Sequence, residues 1–422
     1  MKTPTAKHLA IVLLLALILR LLAAWGWHAR VDGGFRFGDS VSYWHLAREV
    51  AAGEPYRYGE DGWIFRTPGY PMLLAPIFWI VGPEASGIWG RILGAVFGTA
   101  SVAGVWWLGR RLFNPWAGLL AASIAAVYPG AIVTSVLILS EAPFCPLMLA
   151  QLALWVSALQ SASMKRSGVF AFSAGLVGGM ATLVRPSWLL FTPFAVAAGL
   201  LFAEPRRRNL AIGVLALLGV AAAMAPWWIR NAQLTGHFVA TSLQVGASLY
   251  DGLNPRATGA SDMEFVGSFV KEERRTDRRQ PGDRPASFEY RLDRRMLEAA
   301  TRWAREHPGR VAELAFVKLM RMWNVWPNEA SLSSWPVRIV ILVSYLPVLL
   351  LGVVGAVRTV RCGLPYLLCW LPAVYFTCLH VVFVSSIRYR QPAMLGLIVL
   401  AAGVIWEAFE KREFLIRFRQ GG

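Results

Sequence analysis

Hydrophobic residues fall in long runs along this chain, and short connectors between the runs hold most of the charged residues. Ten runs approach the ~20 residues that an α-helix needs to cross the hydrocarbon layer of a bilayer. They lie at 9–27, 88–109, 116–135, 142–159, 168–184, 187–203, 209–228, 337–357, 364–384 and 392–409. The pattern predicts an all-α polytopic membrane protein with about ten transmembrane helices.

The first run follows Lys2 and Lys7 and could be mistaken for a signal peptide. It is too long for a typical signal-peptide core and lacks a clear small-residue cleavage site, so we expect it to be a retained first helix. Two further apolar stretches fit poorly as spans. Residues 70–82 are short and bracketed by prolines, and residues 310–326 carry four charges, so we expect both to form interfacial amphipathic helices on the outer face.

Basic residues predict the orientation of the chain. The net charge is +17, and the arginines and lysines concentrate in alternate connectors, as the positive-inside rule describes for cytoplasmic loops. We therefore expect a multi-pass protein of the inner (plasma) membrane with both termini in the cytoplasm, rather than a nucleic-acid-binding protein. Three parts follow: an N-terminal transmembrane core (1–229) with a first outer loop (28–87), an outer loop region with amphipathic helices (230–336), and C-terminal transmembrane helices with a cytoplasmic tail (337–422).

Composition excludes several classes of chemistry. The chain is 56% hydrophobic and only 16% charged, and its four cysteines all lie in apolar runs without the spacing of metal ligands. The histidines form no ligand-like cluster, and neither a glycine-rich nucleotide loop nor a serine–histidine–aspartate arrangement is present. A nucleotide-linked substrate from the cytoplasm is therefore not expected.

Isolated polar residues are the main functional signal. Ionisable groups at membrane depth are costly and tend to mark function. Here they come from distant parts of the chain, yet the predicted topology places every one at or beyond the outer end of a helix: Asp39, Arg66, Glu141, Arg185, Arg230, Arg388 and Arg390. Their convergence predicts a site at the outer interface, whereas a transporter would concentrate polar groups near the midplane on broken helices.

Each of these residues also has a structural interpretation. Asp39 precedes a helical pattern that places Tyr43 one turn further along on the same face. Asp39 is either a helix N-cap or a general base that takes the proton of an attacking hydroxyl. Arg66 begins the stiff turn RTPGYP and pairs either with an anion or with the neighbouring Glu60 or Asp61. Glu141, in SEAPF, either complements a helix dipole or binds hydroxyl groups.

Three arginines and a tyrosine are candidates for binding phosphate. Arg388 and Arg390 flank Tyr389 in SSIRYRQP and form either a phosphate clamp or an interfacial anchor. Arg20 lies deep in the first run, about two turns from its outer end. We expect it to extend outward to a lipid headgroup or to a carrier phosphate.

An ordered set of motifs resembles the membrane-embedded GT-C glycosyltransferases. The set comprises GDSVSYWHLA and RTPGYP in the first outer loop, YPG, SEAPF, LVRP at 183–186, the stretches 225–255 and 304–324, and RYRQP at 388–392. The chain is most similar to the family-39-type branch that holds the protein O-mannosyltransferases, the lipid A aminoarabinose transferases and the RgtA/B/C/D-like enzymes. The motifs thread almost the whole chain in the expected order.

The resemblance implies a glycosyltransferase that takes a sugar from a polyprenyl-phosphate donor and passes it, with inversion, to a lipid, glycan or protein acceptor. It implies a catalytic role for Asp39 and donor-phosphate contacts from the basic residues of the outer face. Together with the patterns above, the predicted substrate-binding residues are Tyr43, Arg66, Glu141, Arg185, Arg388, Tyr389, Arg390 and Arg20. Many relatives carry a second acidic residue beside the first-loop aspartate, where this chain has Ser40. This difference argues against a metal-binding role for the first-loop aspartate, so no cofactor is expected with certainty and a divalent metal is kept as an alternative. A lipid or lipid-linked-sugar flippase and a non-catalytic scaffold are the competing classes.

Overall fold

The computed structural model describes residues 4–276, 283–326 and 334–420, with side chains described as far as residue 410. Over these ranges the chain is helical, and its one β-type pairing is an isolated bridge between Tyr58 and Gly62. The predicted all-α fold is confirmed.

In chain order the α-helices are α1 (Ala6–Arg30), α2 (Gly38–Ala52), α3 (Gly69–Val81), α4 (Gly87–Leu112), α5 (Pro115–Val127), α6 (Pro129–Val136), α7 (Glu141–Gln160), α8 (Met164–Val184), α9 (Phe191–Phe202), α10 (Arg206–Thr235), α11 (Val245–Gly252), α12 (Val266–Thr276), α13 (Ser287–Glu306), α14 (Pro308–Trp323), α15 (Trp335–Thr359), α16 (Leu364–Val382) and α17 (Gln391–Gln420). A short 3-10 helix, Pro186–Trp188, precedes α9.

Eight of the described helices are long and apolar enough to cross a membrane: α1, α4, α7, α8, α10, α15, α16 and α17. The prediction of about ten spans was too high on this criterion for two reasons. The run 116–135 is divided into α5 and α6, which meet at 57° and make a ninth span only if counted together. The run 187–203 becomes the 3-10 helix and α9, which together are shorter than the other spans.

Proline explains the break between α5 and α6. Pro129 has no backbone N–H to donate and its ring clashes with the preceding turn, which favours a break at this position, although α7 and α10 continue through Pro146 and Pro226. Tyr128, the residue before the proline, adopts an extended conformation with φ −68° and ψ 114°, as the residue before proline generally does. Pro129 then occupies the first turn of α6, where its missing N–H costs nothing.

Small residues let the membrane helices approach closely. A Cβ added to Gly175 of α8 would lie 1.9 Å from the Ala216 carbonyl oxygen of α10, and one added to Gly396 of α17 would lie 1.9 Å from the Cys369 carbonyl oxygen of α16. Helices in lipid gain no hydrophobic drive from associating, so such van der Waals contact between backbones is a main source of their affinity.

Shorter helices cover one end of the bundle. Both predicted amphipathic segments are helical: 70–82 lies within α3 plus its C-cap, and most of 310–326 lies in α14. α3 buries Tyr70, Leu74 and Phe78 while it exposes Trp79 and Ile80, which is consistent with an interfacial position. The charged segment 271–284 forms the end of α12 up to Thr276, and residues 277–282 lie outside the described ranges.

The helix ends explain how distant residues meet. Asp39 lies in the first turn of α2, Glu141 begins α7, Arg185 follows α8, and Arg388 lies between α16 and α17. All four positions are at the end of the bundle that α2 and α11 to α14 cover. The side-chain hydroxyl of Ser40 donates to the Leu137 carbonyl at 3.0 Å, which ties α2 to the turn before α7.

Candidate active site

An aspartate held between two arginines forms the front of the site. Arg66 Nη2 donates to Asp39 Oδ1 at 2.6 Å, and Arg388 Nη1 and Nη2 both approach Asp39 Oδ2 at 3.4 Å. The Asp39 side chain is 34% exposed, so these ion pairs face open space. Arg66 Nε also donates to the Ser42 hydroxyl at 3.1 Å, which fixes the plane of its guanidinium. Ser42 was not among the predicted site residues.

A second carboxylate lies behind Arg388. Glu141 is fully buried, and both of its oxygens accept from Arg388: Oε1 from Nε, and Oε2 from Nη2 at 3.1 Å. Arg185 Nη1 lies 2.9 Å from Glu141 Oε1 and donates to the Ser140 hydroxyl at 3.2 Å. Arg388 therefore bridges the two carboxylates, with Glu141 on its buried side and Asp39 on its exposed side.

The turn that carries Glu141 is strained. Ile138 has a φ of +53°, a region that β-branched residues rarely adopt. Such a conformation costs of order 1–3 kcal/mol and persists only where surrounding contacts impose it. Here the hydrogen bond from Ser40 to Leu137 and the ion pairs of Glu141 fix the residues on either side.

Electrostatics keep both carboxylate and guanidinium groups charged at the front of the site. Burial pushes the pKa of Asp39 upward, but Arg66 and Arg388 more than offset it, so the pKa lies below its usual value. For Arg388, burial lowers the pKa and the attraction of Glu141 outweighs that effect, so the net shift is upward. Asp39 is consequently ionised at neutral pH and is a weak base while both arginines face it.

Aromatic rings line the guanidinium groups. Arg66 lies 5.2 Å from the centre of the Tyr43 ring and Arg185 lies 5.6 Å from that of Tyr389. Beneath Tyr389, the His380 ring stacks in parallel with a centroid distance of 4.1 Å, and its Nδ1–H donates to the Val384 carbonyl oxygen at 2.9 Å. Sequence reasoning did not single out His380, because one histidine at the end of an apolar run carries no spacing signal.

A cavity of about 900 Å³ opens in front of this cluster. Four of the predicted residues line it, namely Asp39, Arg66, Arg388 and Tyr389, whereas Tyr43, Glu141 and Arg185 lie behind its wall. Its other walls come from residues on α11, α12 and α13, so the outer region 230–336 encloses the site as well as covering the bundle. The volume is in the range of sites that bury a sizeable organic ligand.

Two predicted site residues lie elsewhere. Arg390 is buried and donates to the Met322 carbonyl at 3.0 Å, and its guanidinium lies 3.5 Å from the centre of the Tyr345 ring. Arg390 therefore connects α14 to α15 and does not line the cavity. The expectation that it clamps a phosphate with Arg388 is not supported, because the two side chains leave the loop in different directions.

Arg20 also differs from its expected position. It does not extend outward to a headgroup; it is fully buried and donates to the Ala125 and Ala126 carbonyls at 3.1 and 3.0 Å. These carbonyls end α5 at the break before Pro129, where the helix dipole is negative. Arg20 thus stabilises the broken helix whose continuation leads to Glu141.

Long-range contacts hold the first outer loop against the outer helices. Arg230 donates to the Trp63 and Tyr56 carbonyls at 3.2 and 3.1 Å, and the Ile64 N–H donates to Glu289 Oε2 at 2.8 Å. Burial raises the pKa of Glu289 to about 8. Through these hydrogen bonds, Arg230 helps to hold in place the loop that carries Arg66.

Lys318 is a further buried cation that sequence reasoning treated only as part of an amphipathic helix. Its Nζ donates to the Gly252 and Val382 carbonyls at 2.9 and 2.7 Å, and burial lowers its pKa to about 8. It joins α14 to the ends of α11 and α16. The loop that follows Val382 carries Arg388, so Lys318 helps to position that loop.

The carboxylates of the cluster do not present a free metal site. Each oxygen of Asp39 and Glu141 already contacts a guanidinium group. Among the residues that the structure describes, no group of three histidine, cysteine, aspartate or glutamate side chains is placed to hold a metal ion.

The fold and this cluster define a helical bundle with membrane-spanning helices and a charged site at one end of the bundle. The resemblance predicted from the sequence motifs is confirmed by two kinds of comparison. Residues 66–229 match the family described as dolichyl-phosphate-mannose-protein mannosyltransferase. That stretch contains Arg66, Glu141 and Arg185, while Asp39 and Arg388 lie outside it.

Solved structures share the fold. The archaeal oligosaccharyltransferase AglB from Archaeoglobus fulgidus, in complex with an inhibitory peptide and a dolichol-phosphate, matches with a TM-score of 0.61 at 13% identity over 99% of this chain and 51% of that chain. The apo form of the Archaeoglobus fulgidus oligosaccharyltransferase matches with a TM-score of 0.59 at 16% identity over 97% of this chain and 51% of that chain. This chain therefore spans about half the length of these two solved chains. No curated protein matches the sequence significantly.

Proposed function

We propose that the protein is an inverting glycosyltransferase that moves a sugar from a polyprenyl-phosphate donor to a hydroxyl group of a lipid, glycan or protein acceptor. One observation carries the proposal: Arg388, an anion-binding group, lies 3.4 Å from Asp39, a base, at the wall of one large cavity. An enzyme of this kind needs a phosphate site and a proton acceptor on the same reacting centre.

Charge supports a phosphodiester donor. Arg66, Arg185 and Arg388 carry three positive charges and Asp39 and Glu141 carry two negative charges, which leaves a net charge of +1. A polyprenyl-phosphate sugar carries one negative charge, and its leaving carrier phosphate gains another during transfer. Guanidinium groups already in place stabilise that growing charge without reorganisation, which is often the largest catalytic contribution.

The proposed reaction uses Asp39 as the base and Arg388 as the phosphate-binding group. The acceptor hydroxyl oxygen forms a bond with the anomeric carbon, and its proton passes to Asp39. The bond between the anomeric carbon and the phosphate oxygen breaks, and its electron pair stays on the carrier phosphate facing Arg388. A single displacement of this kind inverts the anomeric centre.

Three further observations support the class of donor and the side of the membrane. The names of the similar proteins mention dolichol-phosphate, a polyprenyl-type carrier, and dolichyl-phosphate-mannose, the same type of carrier linked to a sugar. The polar cluster lies at one end of the bundle, whereas a transporter or flippase would hold such groups near the midplane. The distribution of basic connectors supports placing this end on the periplasmic side of the inner membrane, with both termini in the cytoplasm.

The test is transfer by purified full-length protein supplied with a panel of polyprenyl-phosphate sugars. Release of free carrier phosphate that depends on an added acceptor is the expected result. Asp39→Asn should lower the rate by about 10²- to 10⁴-fold, the usual contribution of a general base. Its expression and membrane insertion should stay normal. Normal turnover by Asp39→Asn would refute the role of Asp39, and acceptor-independent movement of lipid between liposome leaflets would favour a flippase.

A further inference from the structure

Arg388 has two different faces. On its buried side, Nε and Nη2 contact both oxygens of Glu141, a fully buried carboxylate that Arg185 also holds at 2.9 Å. On its cavity side, Nη1 and Nη2 reach a single oxygen of Asp39, both at 3.4 Å. The buried contacts form a two-point fork, whereas the cavity contacts are long for a charge-assisted hydrogen bond.

The difference between these two sets of contacts determines which carboxylate a bound phosphate can displace from Arg388. Separating Glu141 from Arg388 would leave each of them with one ion pair instead of two, at a site where Glu141 is fully buried, which is destabilising. Asp39 is one-third exposed, and its other oxygen keeps a 2.6 Å contact with Arg66. A phosphate in the cavity can therefore take the Nη groups of Arg388 that now face Asp39, while the guanidinium itself stays in place.

Exchange at Arg388 would also change the chemistry of Asp39. The groups that face this carboxylate are Arg66 and Arg388, with Glu141 and Tyr43 behind them. Both arginines weaken it as a base. A phosphate monoanion that binds Arg388 offsets part of the positive charge and removes two of the hydrogen-bond donors, so the proton affinity of Asp39 rises.

We propose that donor phosphate displaces Asp39 from Arg388, so that the base is masked in the empty enzyme and is released by the donor itself. This inference rests on the proposed function. Asp39 acts as an internal counter-ion that competes with the donor phosphate for the same guanidinium, and the donor must bind before the acceptor hydroxyl can be deprotonated. Glu141 and Arg185 are positioning residues that hold Arg388 still during the exchange.

Competition between Asp39 and the donor phosphate for Arg388 predicts a result that is not expected if Asp39 has only a catalytic or a structural role. If Asp39 must be displaced, removing its charge should tighten the binding of carrier phosphate although it abolishes transfer. We expect full-length Asp39→Asn to bind undecaprenyl phosphate about fivefold more tightly than wild type, a factor that corresponds to roughly 1 kcal/mol for a partly exposed ion pair. Binding is measured by titration of the lipid into protein reconstituted in nanodiscs.

Two controls isolate the phosphate. Glu264→Gln removes one negative charge from an exposed position in the same outer region and should leave affinity unchanged, which excludes a long-range charge effect. Undecaprenol, which has the same tail without phosphate, should bind wild type and Asp39→Asn equally. In a third titration, inorganic phosphate is added as a competitor. A site for free phosphate would let it displace undecaprenyl phosphate at low concentration, whereas a site that requires the lipid would not.

The outcomes separate this inference from the proposed function. Wild-type binding of undecaprenyl phosphate that Arg388→Gln weakens, together with unchanged or weaker binding by Asp39→Asn, would overturn the exchange and leave the donor site standing. Equal binding of undecaprenyl phosphate and undecaprenol by wild type would overturn both. A thermal unfolding scan of each variant confirms that it is folded before binding is compared.

Discussion

Replacing Glu141 with glutamine tests whether the buried half of the cluster stabilises the protein. The change is nearly isosteric but removes a negative charge that touches two guanidinium groups. The five-residue cluster would pass from a net charge of +1 to +2, with Arg185 and Arg388 both short of a counter-ion in a buried site. Breaking a buried pair in this way costs about 3–5 kcal/mol.

The same chemical change at Asp39 provides the matched comparison. Asp39 is 34% exposed and faces the cavity, so water and ions screen the charges it leaves behind. We expect Asp39→Asn to lower the free energy of unfolding by about 1 kcal/mol or less. The two variants should therefore both lose transfer activity but should differ in stability by at least ~2 kcal/mol.

Thermal and denaturant unfolding, followed by tryptophan fluorescence in detergent, measures the difference. A double variant, Glu141→Gln with Arg185→Gln, restores the net charge of the cluster to +1 and should recover part of the lost stability. Coupling between residues in direct contact is expected to be non-additive. Equal unfolding free energies for Glu141→Gln and Asp39→Asn, or full additivity in the double variant, would refute the buried-bridge interpretation.

Three further predictions concern residues outside the cavity wall or at its edge. Arg390→Ala should destabilise the protein, because Arg390 donates a hydrogen bond to the Met322 carbonyl and packs on the Tyr345 ring. The Kd for carrier phosphate should stay within twofold (about 0.4 kcal/mol), and a large loss of affinity would show that Arg390 contacts the phosphate after all. Arg20→Met should lower stability and kcat with little change in KM, since it supports the α5–α6 break without lining the cavity; an effect on KM alone would contradict this. Burial raises the pKa of Glu289 from 4.5 to about 8 in the folded protein, so between these pH values the folded state binds more protons than the unfolded state. The free energy of unfolding should therefore fall as the pH rises through this window. Glu289→Gln should flatten this part of the plot of unfolding midpoint against pH, and an unchanged slope would reject the assignment.

Local sequence determined the helices and the end of the bundle at which the charges lie. Hydropathy over about 20 residues is enough to specify a membrane helix, because lipid forces backbone hydrogen bonds to be made within the segment. The motif YPG also contains the reason for the break at Pro129, although the run around it looks like one span. The sequence predicted that Asp39, Arg66, Glu141, Arg185 and Arg388 converge, because each is an ionisable residue near a helix end, and the structure places their side chains in one cluster.

Tertiary structure alone decided which of these side chains touch. Arg388 and Arg390 are two residues apart in a loop, where no helical or strand periodicity fixes the direction of a side chain; packing sends one to the cavity and the other to Tyr345. Arg20 found helix-end carbonyls about a hundred residues away because the break in α5 left them unpaired. The bridge from Asp39 through Arg388 to Glu141 joins three remote segments, and such partnerships depend on how whole helices pack, which no local pattern encodes.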